Sequence, residues 1–470
     1  MHAPSDTSLV PALTPARGTR VVVIGGGLAG MAAAVALSSA GTRVTLVESR
    51  KSLGGRAGSF EEPQSGEEID NCQHVLLGCC TNLLDFYRRL GAEDRIHFET
   101  AVRFRDEAGR PHDLAATKGL PAPLHLFPAF LRFGALPWRE RVAVMMAMTA
   151  MLRMGRDGAR ALADVPFGHW LDEHGQPESL VKRFYDPIII SALNEETRRC
   201  SATYAIQVFQ ESLLANRHGY VVGVPACTLA ALYAGLPIED LRLGTRVAGL
   251  VIEGGRVSGV RLSSGEAIAA DAVVLATNHH AARKIVPGEW VVRDSRFDHL
   301  DQLDSVPILG AHLTFDRPVM RDPHAALISG PLQWLFRKDA QGRVVHGVIS
   351  AARSWVDRPK EEMLREFEAQ VRALFPLARE ATLVRGVTVI EKRATFAPTP
   401  GVDRIRPGQA PVGGGLANLY LAGDYTRTDW PATMEGAVRS GYLAAGAVAG
   451  QAFVVADLPT EWPARVAGLR

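Results

Sequence analysis

The sequence predicts an α/β fold: a nucleotide-binding domain on a parallel sheet, assembled from separated stretches of chain, with a mixed α+β domain inserted into it. Two observations carry that reading. From Thr19 to Glu48 the chain runs strand, glycine turn, helix, strand, acidic residue, all within 30 residues. Far downstream, Asp271–Thr277 and Asn418–Asp424 are further buried-strand runs that end in small-residue turns. Composition agrees with a large folded protein. Of 470 residues, 47% are hydrophobic and 22% charged, which supports a sizeable core and excludes wholesale disorder. A net charge of +2 carries no basic excess, so no nucleic-acid partner is expected.

Residues 1–18 hold three prolines and no apolar run, which predicts a flexible tail rather than a secretory signal. The segment Thr-Arg-Val-Val-Val-Ile (Thr19–Ile24) is β-branched and bounded by glycines, and reads as a buried strand. Gly25-Gly26-Gly27-Leu28-Ala29-Gly30 is a G-x-G-x-x-G turn, followed by an Ala-rich helix over Met31–Ala40 and a strand over Arg43–Val47. This is a Rossmann-type fingerprint. Gly25 permits the tight turn, Gly27 lets backbone approach a pyrophosphate, and Gly30 lets helix and strand pack closely. The helix start at Leu28 and Ala29 presents N–H groups to phosphate. Glu48 accepts from a ribose 2′-hydroxyl and disfavours a 2′-phosphate.

The stretch Glu48-Ser49 through Gly54-Gly55-Arg56 resembles the segment that follows the acidic residue in flavoproteins of the amine oxidase and phytoene desaturase superfamily. The resemblance implies that this Gly-Gly-Arg loop runs beside the pyrophosphate of a non-covalent FAD. It extends to Ala276-Thr277, at the end of a strand that returns to the nucleotide domain, and to Val247, whose backbone would pair with adenine. Val247 opens a β-meander over Val247–Glu253, Arg256–Leu262 and Ala267–Asp271. It extends also to Gly423-Asp424, whose carboxylate would accept from flavin hydroxyls. Thr433-Met434-Glu435-Gly436-Ala437 then opens a helix on whose bare end a flat ring can lie.

The nucleotide domain is therefore expected at 19–100, 224–285 and 385–455, the substrate domain at 101–223 and 286–384, and a C-terminal tail at 456–470. The first insert reads as largely helical. Its stretch Leu124–Leu162 mixes apolar and aromatic residues with Arg132, Arg139, Arg141, Arg153 and Arg156, and suits either the packed roof of a cavity or a face lying on a membrane. The longest apolar run, Val142–Leu152, is far shorter than the roughly 18–20 residues of a spanning helix. The second insert predicts strands at Leu309–Phe315, Leu332–Arg337 and Val344–Ala351 and a helix over Arg353–Phe375. Five cysteines, few and odd in number, suggest a reducing compartment.

Ile69–Cys80, Phe184–Asn194 and the run from Ser212-Leu213-Leu214 to Gly223-Val224-Pro225 resemble the squalene-associated FAD proteins of the hydroxysqualene dehydroxylase family, over nearly all of residues 19–450. Cys72 and Cys80 depart from that pattern, where a glycine and an aromatic would stand. The resemblance implies reductive removal of the allylic hydroxyl of hydroxysqualene to give squalene. An acid assists loss of water, and hydride arrives from N5 of reduced FAD. It implies a hydrophobic triterpenoid substrate in an apolar tunnel, an external electron donor, and a cytoplasmic enzyme peripheral on the inner face of the membrane. His74 and Asp186 are the candidate acids, Gln73 is a candidate beside His74, and Asn194 and Gln207 are further polar candidates; no metal ligands are expected. Alternatives on the same scaffold are a phytoene or carotenoid desaturase, a flavin amine oxidase, or a non-catalytic prenyl-lipid binder. Against amine oxidation, Thr433 stands where such enzymes place an aromatic ring.

Overall fold

The β-branched run at the N-terminus forms the middle of a five-stranded parallel sheet. The order is Asp240–Arg242, Arg43–Val47, Arg20–Ile24, Ala272–Leu275, Leu419–Leu421. The computed structural model describes residues 18–470, so the tail expected at 1–18 lies, apart from Gly18, outside the described residues. Strands buried on both faces take continuous Val/Ile/Leu runs, as here. The first helix starts earlier than expected, at Leu28, and runs to Ser39. It is buried all round because the helix Met434–Ala449 lies against it. A Cβ on Gly441 of that helix would stand 2.2 Å from the carbonyl oxygen of Ala29, so only glycine permits the approach.

The inserts meet in a seven-stranded sheet. Its order is Leu383–Phe396, Ser305–Phe315, Val344–Ile349, Trp334–Arg337, His324–Leu327, Ala101–Arg105, Pro111–Ala115. Two expectations change here. The first insert is not purely helical, since it supplies the last two strands. Leu383–Phe396 pairs along Ser305–Phe315, so residues 385–396 belong to this sheet and not to the nucleotide domain. One face of the sheet, with Leu309, Leu313, Leu335 and Val345, packs on Phe367 and Val371 of the helix Lys360–Leu374. Pro359 separates that helix from a short 3-10 turn at Arg353–Trp355, where one continuous helix was expected. The other face looks toward the 70–74 segment and the helix Asp186–Leu193. Gly310 lies against Asn71 and Cys72, and the Trp334 indole N–H donates to Pro187 O at 3.1 Å.

A helical cap completes the insert: Trp138–Arg160, bent at Gly155, then Phe167–Glu173, Asp186–Leu193 and Ala202–Phe209. Phe167, Phe184, Tyr185 and Phe209 stack edge-on or tilted in its core. The C-terminal stretch is not a loose tail. Residues Trp462–Ala467 form a helix that buries Ala464 and Leu469. Asp457 pairs with Arg439, and Glu461 with Arg217. No helix among the described residues is long and apolar enough to cross a membrane.

Candidate functional site

The glycine turn is a cradle with one open side. A Cβ on Gly30 would stand 1.8 Å from Gly25 O, and one on Gly25 would stand 2.6 Å from Ala276 O. At Gly27 it would meet nothing within 4 Å. The Gly-Gly loop docks on the same turn, with the Gly54 N–H donating to Gly26 O at 2.8 Å and Gly55 against Gly27. Leu28 and Ala29 form the buried first turn of the helix behind it. The space over Gly27 is thus edged by backbone N–H groups and a helix start, the setting that suits a diphosphate.

Glu48 fixes the far end of this cradle. Its carboxylate accepts the Gly26 N–H at 2.6 Å, the Arg50 N–H at 2.7 Å and the Ser49 hydroxyl at 3.1 Å. Each oxygen keeps a second lone pair for a ribose hydroxyl. The strand leading to Val247 passes alongside. The Glu48 N–H donates to Arg242 O at 2.9 Å, and the Thr245 N–H to Glu48 O at 2.8 Å. Val247 itself is buried and begins the strand Val247–Glu253.

At the other end three remote segments meet. The Arg56 guanidinium holds the Asp424 carboxylate through two bonds, 2.5 and 3.0 Å, and donates to Ala394 O at 2.7 Å. A cleft beside this pair is lined by Asn278, His279, Thr395 and Tyr425. The Nε2 of His279 and the Tyr425 hydroxyl are buried with no hydrogen-bond partner. Burial, with His280 adding repulsion, lowers His279 to about 4, so it stays neutral. Buried polar atoms are normally satisfied, and two orphans beside Asp424 are what a polar cofactor would pair with.

The final helix is aimed at this cleft. Gly423 donates its N–H to Ser440 Oγ at 2.8 Å, which ties the Gly-Asp turn to the helix. Thr433 caps the helix, accepting the Gly436 N–H at 3.1 Å, and Met434 and Ala437 lie half-buried in its first turn. Ala276 abuts Gly25, and the Thr277 hydroxyl donates to Asn278 O. Glu435 is a correction. Its carboxylate is fully buried, accepts from Asn82 and from the Leu83 N–H, and pairs with Arg439, so its side chain pins the helix Thr81–Arg89 and faces no cofactor.

The acid candidates do not converge. His74 Nδ1 lies 2.9 Å from Cys72 O, and burial lowers its pKa. Gln73 accepts from Lys338 Nζ at 3.0 Å. Asp186 lies instead among Thr197, Glu178, Lys182 and Arg198, where burial raises its pKa. Asn194 ties the cap to the sheet, donating to Val306 O and Thr395 and accepting from the Ala351 N–H. Gln207 donates to Asp429 O. Burial pushes the Cys72 thiol up to about 12, against Gly310, so it is a small inert filler. Sequence reasoning missed His279, Tyr425 and Ser440. The first two directly follow recognised turns, which is the signal that pointed to them. Ser440 leaves no signal short of the fold.

The arginines of the 124–162 stretch divide. Arg156 is spent on Glu211 and Arg141 on the carbonyls of Leu131 and Leu136. Arg132, Arg139 and Arg153 are exposed, with Leu124, Phe127, Trp138 and Met146 exposed in the same stretch.

Comparison with known proteins agrees with this site. Residues 28–449 match the model of the flavin containing amine oxidoreductase family. Zeta-carotene desaturase of Synechocystis is 29% identical, over 91% of this chain and 97% of that protein. The 15-cis-phytoene desaturase of Synechococcus elongatus is 25% identical, over 91% and 95%. Among solved structures, an oxidoreductase from Methanosarcina mazei superposes with a TM-score of 0.67 at 16% identity, over 90% of this chain and 99% of that one. Putrescine oxidase bound to putrescine gives 0.66 at 16%, over 93% and 100%; both show the fold alone. A Gly-rich cradle, an acid at the ribose end and an Arg–Asp clasp drawn from three parts of the chain fit one dinucleotide, and with a family match over most of its length this chain belongs to the flavin containing amine oxidoreductases and takes FAD as its cofactor.

Proposed function

We propose that this protein exchanges hydride between FAD and a linear polyisoprenoid. The observation that carries the reading is the pair of carotene and phytoene desaturase relatives that match over nine-tenths of the chain. They favour desaturation of a carotene-type chain. FAD, when bound, supplies the hydride chemistry. The residues of the chain do the rest. The cradle at Gly27, Glu48 and Arg56–Asp424 orients the cofactor. The apolar cap, with Phe184, Tyr185 and Phe209, keeps water from the substrate. A second reading, reductive removal of the allylic hydroxyl of hydroxysqualene, is favoured by the likeness of Ile69–Cys80 and Phe184–Asn194 to that family. Both readings need a long apolar substrate and one proton moved per turnover.

The direction is tested anaerobically. Oxidised protein with phytoene or zeta-carotene is expected to bleach its flavin and lengthen the polyene. If pre-reduced protein with hydroxysqualene instead regains flavin absorbance and yields squalene, the second reading replaces the first. Turnover of a simple amine alone overturns both. We further propose docking on anionic membranes through Leu124, Phe127, Trp138, Arg132 and Arg139. The protein is expected to sediment with anionic vesicles, and Arg132→Glu with Arg139→Glu to release it. Absence of binding by the unaltered protein rejects this.

A further inference from the structure

The sheet face that looks toward the 70–74 segment carries a polar pair that the reading above leaves unused. His312 and His346 stand directly opposite on adjacent antiparallel strands, with His312 Nδ1 2.9 Å from His346 Nε2. They are 7% and 8% exposed. Their outer nitrogens, His312 Nε2 and His346 Nδ1, are buried without a partner. Lys338, one strand over, reaches Gln73 and forms no ion pair among the described residues. The other ionisable groups facing the pair are Asp70 and Arg385. On the same face, Trp334 and Phe336 stack 5.8 Å apart, and the Trp334 indole meets the helix Asp186–Leu193. The pair therefore sits where an apolar floor adjoins the segment that holds His74.

We propose that His312 and His346 form a proton relay serving the reacting carbon. This rests on the hydride-exchange reading, because either direction moves one proton. Desaturation breaks two C–H bonds, sends a hydride to oxidised flavin and leaves H⁺ to be accepted. Dehydroxylation breaks C–O, takes hydride from reduced flavin and uses H⁺ to release water. Two neutral imidazoles contain two N–H groups and two bare nitrogens. One N–H lies between the rings, so the ends offer one donor and one acceptor. A proton accepted at one end, a transfer across the 2.9 Å contact and a release at the other end move H⁺ along the floor and leave both rings neutral. Burial and the Lys338 charge keep both rings neutral in the resting protein.

The test uses FAD-loaded protein carrying His312→Gln, His346→Gln or both. Single-turnover flavin bleaching or recovery, with whichever of phytoene or hydroxysqualene reacts, is expected to fall about 100-fold in each single variant. The double variant should be no slower, FAD content should be unchanged, and the solvent deuterium isotope effect should change with the rate. Wild-type rates and isotope effects in both variants overturn the relay. ¹⁵N imidazole spectra of the unaltered protein without substrate give a separate readout. A shared N–H···N is expected, and two rings titrating independently near the ordinary histidine value overturn the relay. Failure of every substrate with that shared proton present counts against the hydride reading alone.

Discussion

Arg56 and Asp424 stand 368 residues apart, and their clasp defines one end of the cofactor cradle. Two parallel bonds need a planar guanidinium, so Arg56→Lys leaves one bond at best. We expect FAD binding to weaken about tenfold, roughly 1–2 kcal/mol, in titrations of apoprotein; unchanged affinity removes the clasp from the cofactor site. Glu435 behaves differently. Glu435→Ala leaves Arg439 and the Asn82–Leu83 N–H groups without their buried carboxylate. A stability loss of about 3 kcal/mol is expected by urea unfolding, with no selective loss of FAD at temperatures where the fold holds. The Gly-Gly-Arg and Gly-Asp motifs were legible because each restricts its own backbone. The mate of each side chain was not. Glu435 reads as part of a flavin motif, yet its partners lie on a helix some 350 residues earlier, and sequence pattern says nothing about which way it turns.

Among elements, the pair of small-residue helices, Leu28–Ser39 and Met434–Ala449, brings the phosphate end of the cradle against the Asp424 end. Gly441→Ala would drive a methyl into the Ala29 carbonyl, which is backbone and cannot swing aside. Overpacking of this kind costs about 1–3 kcal/mol. We expect a lower urea midpoint and weaker FAD binding together, and a midpoint equal to that of the unaltered protein refutes the close contact. The strand–helix–strand unit at 20–47 was readable because every signal in it is local. Leu383–Phe396 was not. It is an edge strand whose Glu391, Lys392 and Arg393 read as loop, and its identity comes from pairing with Ser305–Phe315. The helical cap also hid its two strands, Ala101–Arg105 and Pro111–Ala115, because they are short and pair with a sheet built mostly from sequence 200 residues later.

For the molecule as a whole, buried histidines set the acid limit. Burial holds His125, His279, His312 and His324 near about 4, and His346 lower still. In the unfolded chain each binds a proton near 6.5. The unfolded state therefore holds more protons below that value, and stability, full above about pH 6.5, falls as pH drops toward 4. Each group contributes about 1.4 kcal/mol per pH unit inside that window. We expect the urea midpoint to drop clearly between pH 7 and 5, and His324→Gln to flatten part of that slope. A midpoint that does not move over this range shows that these rings are not held neutral.

The strand Arg20–Ile24 lies between two neighbours, and one of them, Ala272–Leu275, is translated some 250 residues after it. Leu419–Leu421 comes later again, and the segment that clamps Arg439 and Arg217 is among the last to leave the ribosome. During synthesis the first strand waits with an unpaired edge for most of the polypeptide to appear. Flavin capture is accordingly an event of the finished chain, and a nascent fragment halted before residue 419 has a half-built sheet that invites chaperones rather than cofactor.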